Sequence, residues 1–180
     1  HLPPRVPAAV TAAVWPPPSP GTRWLLRLPN WIGDAVMVLP ALRALPGEAQ
    51  RYLGMAHPRV IPLYRAANLF EQLLPARGGR APWELRSEVR GWRPDRAVTF
   101  TDAMSWALLV ALSGARLRLG RQRPGRGLLL TDRLPASRRS RSLWKEYAEL
   151  AAAAGGATID RPECRLDPER DALARSDELL

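Results

Sequence analysis

The stretch from Trp24 to Leu45 constrains this chain more than any other. Trp24 to Leu28 is a short apolar run closed by Pro29, the pattern of a buried strand. From Trp31 the period changes. Ile32, Val36, Leu39, Leu42 and Leu45 recur at intervals of three and four residues, which places them on one face of a helix. Asn30 suits the N-cap of that helix. Pro40 predicts a kink or a break in it, and Pro46-Gly47 its end. A strand and a helix joined by so short a loop make a βα unit. The loop itself holds Asn30, Trp31, Gly33 and Asp34.

The same alternation continues. Strands are expected over Arg51 to Met55, Leu69 to Leu74, Arg96 to Phe100 and Leu117 to Leu119. Helices are expected over Pro58 to Ala67, Trp83 to Trp92, Ala103 to Ser113 and Leu143 to Ala154, the last stopped by Gly155-Gly156. Residues 76–82 and 120–127 read as loops, and 137–141 as a polar, basic stretch. Strands alternating with helices imply an α/β fold, a Rossmann-like parallel sheet with flanking helices. Ligands of such sheets bind beyond the C-terminal ends of the strands. Two loops fall there, Asn30–Asp34 and Thr101–Ser105.

Outside this block the pattern fades. Residues 1–22 carry prolines at 3, 4, 7, 16, 17, 18 and 20, which forbid a helix or a central strand, so a disordered Pro/Ala-rich leader is expected. No apolar h-region follows a positive segment, so it does not read as a signal peptide. Residues 157–180 carry Pro162 and Pro168, and Glu169 to Leu180 can begin a further helix.

The net charge of +10 raises the question of an anionic partner. Lys145 is the only lysine, however, and the arginines are scattered, with local density at 116–126 and 133–141. Arginine in place of lysine, with abundant Ala, Pro and Gly, fits the codon bias of a GC-rich genome. A nucleic-acid partner is therefore not expected. The single cysteine, Cys164, forms no disulfide within the chain, and no Cys/His cluster offers a metal site. His57, followed by Pro58, reads as a loop or helix-start residue rather than a catalytic one. No apolar run approaches the ~18 residues of a membrane-spanning helix.

The first loop is neither a dinucleotide fingerprint nor a Walker loop, because Gly33 stands alone. Asp34 has two readings. In the first turn of a helix it complements the helix dipole by about 0.3–1 kcal/mol. At the top of a sheet beside Trp31 it can also serve as a general base for a hydroxyl nucleophile. Gly33 lets a ligand approach the backbone closely. Trp31 reads as a core or lid residue or as a platform for a sugar. Asp102 reads as a cap of the next helix or as a ligand contact. Arg121, Arg123 and Arg126 form a basic loop, able to hold phosphate or carboxylate or simply solvated.

Residues 28–45, Leu-Pro-Asn-Trp-Ile-Gly-Asp-Ala-Val-Met-Val-Leu-Pro-Ala-Leu-Arg-Ala-Leu, closely resemble the start of the ADP-heptose:lipopolysaccharide heptosyltransferases of glycosyltransferase family 9, above all the heptosyltransferase II group. Pro94-Asp95-Arg96-Ala97-Val98 through Gly114 is similar to the family's fourth strand and following helix. Leu119-Gly120 through Thr131-Asp132 resembles the loop before its last N-domain helix, and Tyr147 to Gly155 resembles that helix. The resemblance spans residues 23–156. It implies the N-terminal, acceptor-binding half of a GT-B glycosyltransferase with inverting, metal-independent transfer of a heptose. The donor is a nucleotide-sugar, ADP-heptose, and the acceptor a lipopolysaccharide inner-core or related glycan. Asp34 falls on the catalytic base. Asn30, Trp31, Gly33, Asp102 and Arg126 are the candidate substrate-binding residues, Arg126 facing anionic groups of the acceptor.

The resemblance further implies that donor binding belongs to a second domain, with 157–180 as the start of the linker to it. These residues alone are then not expected to catalyse transfer, and no cofactor or metal is expected. A cytoplasmic location follows, with peripheral contact to the anionic inner face of the cytoplasmic membrane. The segment 46–62 looks short for the family. The alternative is a non-catalytic remnant or binding module that keeps the fold.

Overall fold

Why the chain folds as a parallel sheet is visible in the burial of its strands. A computed structural model of the protein describes residues 15–47, 49–77, 81–136 and 142–163. Six strands pair in parallel: β1 (Arg23–Arg27), β2 (Arg51–Ala56), β3 (Gln72–Pro75), β4 (Arg96–Thr99), β5 (Leu117–Arg121) and β6 (Asp132–Leu134). Their order is β3-β2-β1-β4-β5-β6. Central strands of such a sheet are covered on both faces and so read as near-continuous apolar runs. Leu26 of β1 faces Gly54 of β2 on one side and Val98 of β4 on the other.

Helices cover both faces. They are α1 (Ile32–Ala44), α2 (Ile61–Ala66), α3 (Ala81–Glu84), α4 (Arg86–Trp92), α5 (Met104–Leu112) and α6 (Leu143–Ala153). The alternation of β1 divides the core in two. Trp24, Leu26 and Leu28 join a cluster with α1, α2 and α6. Leu25 joins the opposite one, with Val89 of α4 and Trp106, Leu109 and Val110 of α5. The chain beyond α6 closes the first layer. Gly155 adopts φ +93° to end the helix, and Ala157 N–H donates to the Ala44 carbonyl at the end of α1 (2.7 Å).

Several expectations are corrected. Asn30 is not the N-cap of α1: that place is held by Trp31, without a side-chain cap, because the Asn30 amide is engaged elsewhere, as described below. Likewise the N-cap of α5 is Ala103, not Asp102. Helix α1 runs unbroken through Pro40. The expected helix from Pro58 is a 3-10 turn, Pro58–Val60, followed by α2, with His57 Nδ1 accepting from Arg59 N–H at its start. The single helix over 83–92 is two, α3 and α4, which meet at the buried Leu85. The loop over 120–127 is shorter than expected, since β5 extends to Arg121 and a 3-10 turn spans Arg126–Leu128. β6 escapes sequence reading because it is three residues long and starts Asp-Arg.

The leader boundary also moves. Residues 1–14, the basic stretch at 137–141, Cys164 and the remainder to 180 lie outside the described residues. Trp15, however, is 2% exposed, and this part of the expected disordered segment belongs to the core. Its indole N–H donates to Asp132 Oδ2 (2.8 Å), and its ring lies 5.9 Å from that of Trp24. The guanidinium of Arg96 lies over both rings, at 5.7 and 5.2 Å. Prolines forbid helix and ladder, but not the docking of one large aromatic residue beside them. Trp15→Ala should destabilise the fold by about 3–5 kcal/mol, the range for emptying a buried aromatic site. Urea unfolding followed by fluorescence is the check, and an unchanged midpoint would contradict the assignment.

Candidate functional site

The strand order reverses direction between β1 and β4, so their C-terminal ends open a crevice at a switch point. Both loops singled out from the sequence meet there. The β1–α1 loop supplies Asn30, Trp31 and Asp34, the β4–α5 loop Thr101, Asp102 and Ala103, and α6 a third wall with Glu146 and Tyr147. The cleft encloses about 340 Å³.

Its floor is a buried cation. Arg27, the last residue of β1, is 0% exposed. Its Nη1 donates to the carbonyls of Leu28 and Met55, the latter at 3.0 Å, and its Nη2 to Asn30 Oδ1 (3.0 Å). The guanidinium stacks 3.9 Å from the centre of the Trp106 ring. Burial lowers its pKa to about 10, which leaves it charged at neutral pH. Asn30 Oδ1 also accepts from the backbone N–H of His57 (3.0 Å). One amide oxygen thus ties the β1–α1 loop to Arg27 and to the end of β2. Asn30 is a loop fastener at the edge of the cleft.

Asp34 sits in the first turn of α1, half-buried on the cleft wall. Among the described residues no hydrogen bond or ion pair engages its carboxylate. Trp31 is 69% exposed beside it, so the core reading of Trp31 is excluded and the lid or platform reading stands. Gly33 has open space where a Cβ would lie and no positive φ. The fold itself therefore does not require glycine at this position.

Asp102 and Arg126 come together, but differently from expectation. Asp102 Oδ2 accepts from Arg123 Nε (2.9 Å), and its Oδ1 meets Arg126 Nη1 at 3.4 Å. Asp102 lines the cleft while latching the β4–α5 loop to the segment after β5. Arg126 is 0% exposed, with Nε and Nη2 enclosed and unpartnered, and it does not line the cleft. Burial lowers its pKa, with Asp102 opposing. The expected loop arginine for an anionic ligand is thus an interior residue in this structure.

Sequence reading left Arg27, Trp106, Glu146 and Tyr147 out of the site and placed Arg121 in a basic loop. Arg121 is buried at the end of β5, where its Nη2 donates to Glu149 Oε2 (2.9 Å) and its Nε lies 3.7 Å from Glu146 Oε2. Burial raises the Glu146 pKa, and Arg121 opposes that rise. Trp106 forms the stacking surface under Arg27. Tyr147 packs edge-on against Phe100 (5.9 Å, 76°) and faces the cleft. A signal existed for Arg27: a charge inside a buried strand must find several hydrogen-bond partners. Nothing comparable marked Glu146 or Tyr147, whose position depends on how α6 packs against α1.

Taken together, the parallel sheet, its flanking helices and the cleft at its switch point define a Rossmann-like α/β domain. No family model matches the chain, and no curated protein sequence does. Solved structures do. The chain is similar to ADP-heptose lps heptosyltransferase II of E. coli, at 22% identity and TM-score 0.73, over 88% of this chain and 50% of that one. A glycosyltransferase family 9 structure from Veillonella parvula aligns at 12% identity and TM-score 0.75, over 87% and 48%. E. coli heptosyltransferase WaaC with ADP-2-deoxy-2-fluoro heptose aligns at 16% and 0.61, over 78% and 51%. The chain therefore has the heptosyltransferase-like fold of glycosyltransferase family 9, and it spans about half the length of the structures it matches.

Two substitutions check the loop. Asn30→Ala strands the Arg27 and His57 donors and should cost about 1–3 kcal/mol in urea unfolding. Gly33→Ala should leave stability unchanged or slightly raised, by up to about 1 kcal/mol for a helical position. A marked loss of stability in Gly33→Ala would mean that the loop packs more closely than the geometry described.

Proposed function

We propose that this chain is the acceptor-binding half of an inverting GT-B glycosyltransferase, with Asp34 as the general base. The observation that carries the reading is the Asp34 carboxylate, half-buried at the switch point and engaged by no described neighbour. A carboxylate held by arginine is a poor base; one left free beside a cleft can accept a proton. The reacting hydroxyl of the acceptor gives its proton to Asp34. Its oxygen bonds to the anomeric carbon of the donor sugar, and the nucleoside diphosphate leaves from the opposite face. That displacement inverts the anomeric centre and needs no metal from this domain.

The donor is a nucleotide-sugar, ADP-heptose in this reading, held mainly by the counterpart of the half of the heptosyltransferases that this chain does not span. The acceptor is a lipopolysaccharide inner-core or related glycan. Exposed Trp31 provides an apolar platform for a sugar face. Asn30 fixes the loop, Gly33 leaves room over it, and Asp102 offers acceptor oxygens at the far wall. Arg126 reaches an anionic acceptor group only if its segment moves out of the latch with Asp102. Contact with an anionic membrane surface at the cytoplasmic face is supported by the +10 charge and by exposed Trp31, on the cleft, with Ile32 and Met104 next to lining residues in the chain. No helix among the described residues is long and apolar enough to cross a membrane.

The test joins binding to transfer. Deacylated inner-core oligosaccharide should bind this chain in calorimetry. With a donor domain supplied, labelled sugar should pass from one member of a nucleotide-sugar panel to it. Asp34→Asn should lower turnover by about 10²–10⁴-fold, the range of general-base catalysis, with little change in oligosaccharide affinity. Full turnover in that variant would reduce Asp34 to a helix-dipole residue, whereas oligosaccharide binding without transfer from any donor, by the unchanged sequence, would favour the non-catalytic binding module.

A further inference from the structure

Tyr147 carries chemistry that the site as described does not use. Its ring is 5% exposed and fixed edge-on by Phe100. Its hydroxyl, however, makes no hydrogen bond among the described residues, and its oxygen is not among the side-chain atoms sealed from the surface without a partner. A tyrosine so deeply set normally has its O–H matched within the protein. Here it lines the cleft instead. Helix α6 packs on the same face of the sheet as α1, so Tyr147, in the second turn of α6, and Asp34, in the first turn of α1, share that cleft. Burial, and after it the Asp34 charge, raises the pKa of the phenol. It therefore stays protonated across the neutral range and is available as a donor.

We propose that the Tyr147 hydroxyl is a second acceptor-contacting group, donating a hydrogen bond to the sugar oxygen next to the hydroxyl that faces Asp34. The inference rests on the acceptor-binding reading above. The two groups are complementary in kind. An ionised carboxylate only accepts, while a phenol can donate, and a sugar with neighbouring hydroxyls offers one of each. Contact to the neighbouring oxygen leaves both lone pairs of the reacting oxygen free for bond formation. The preferred ligand is then a sugar with vicinal hydroxyls, and the pair selects which of them meets the base. Glu146, one residue earlier, does not compete for this role, since it is turned toward Arg121.

Tyr147→Phe removes one oxygen and keeps the packed ring. Calorimetry with deacylated inner-core oligosaccharide, on the chain as it stands, should show about ten-fold weaker binding than wild type, the scale of one lost hydrogen bond. The thermal midpoint should not move. Wild-type binding with undiminished affinity in Tyr147→Phe would overturn the inference and leave the acceptor reading standing. A marked fall in thermal midpoint would overturn it too, by making the hydroxyl structural. No binding by the wild type at millimolar oligosaccharide would overturn the acceptor reading, and this inference with it.

Discussion

The burial of Arg27 is the constraint on which the rest of the site depends. A guanidinium with no access to water must recover its solvation from the protein, and a single carboxylate is not how this chain does so. The recovery comes from two backbone carbonyls, the Asn30 amide and the face of Trp106. Each partner belongs to a different part of the switch point: the end of β1, the end of β2, the following loop and helix α5. A cation with several scattered acceptors is a geometric constraint as well as an electrostatic one, because all of them must arrive together. The stacking over Trp106, worth up to about 2 kcal/mol when desolvated, adds a contact from the opposite layer. The loop that carries Asp34 is thereby fixed from beneath.

The other arginines near the cleft are used in a similar way. Arg121 answers Glu146 and Glu149, and Arg123 and Arg126 answer Asp102. Arg27, Arg96, Arg121 and Arg126 are all buried. Part of the strong positive charge is therefore not a surface field but internal scaffolding, a use that composition does not separate from codon bias. Exposed pairs such as Arg51 with Glu71 contribute little, since water screens them. The buried ones set positions more than they add net stability, because desolvation offsets much of their attraction. Their effect is to hold three walls of one cleft in register.

How much of this was legible follows from which signals are local. The βα alternation, the two loops at the strand ends and the prominence of Asp34 are readable because strand and helix periods differ and Pro and Gly mark the changes. Caps were misassigned at both loops, and for one reason: Asn30 and Asp102 have side chains suited to capping, but each is drawn to an arginine distant in sequence or in the neighbouring element. Tertiary partners outweighed a local preference worth about 1 kcal/mol. Trp15 was hidden by its proline neighbours, and β6 by its shortness. Tyr147 was invisible as a site residue because an aromatic at a helical spacing most often serves the core, and its ring does. Only its hydroxyl departs from that role, and only the packing of α6 reveals where it points.

The freedom of Asp34 gains meaning from this setting. In a chain with so many arginines, an acidic side chain on the wall of a cleft would be expected to acquire one. Asp102, Glu146 and Glu149 each have. Asp34 has none among the described residues, although Arg27 lies in the same cleft. The reason is structural: the hydrogen-bonding edge of Arg27 is turned to Leu28, Met55 and Asn30, and its flat face to Trp106. The arrangement sets a buried guanidinium under the loop without making it a direct partner of the carboxylate. A purely stabilising acid at the start of α1 would gain from such a partner, and its absence among the described residues is the observation that supports the proposed role of Asp34 as a group available to a ligand.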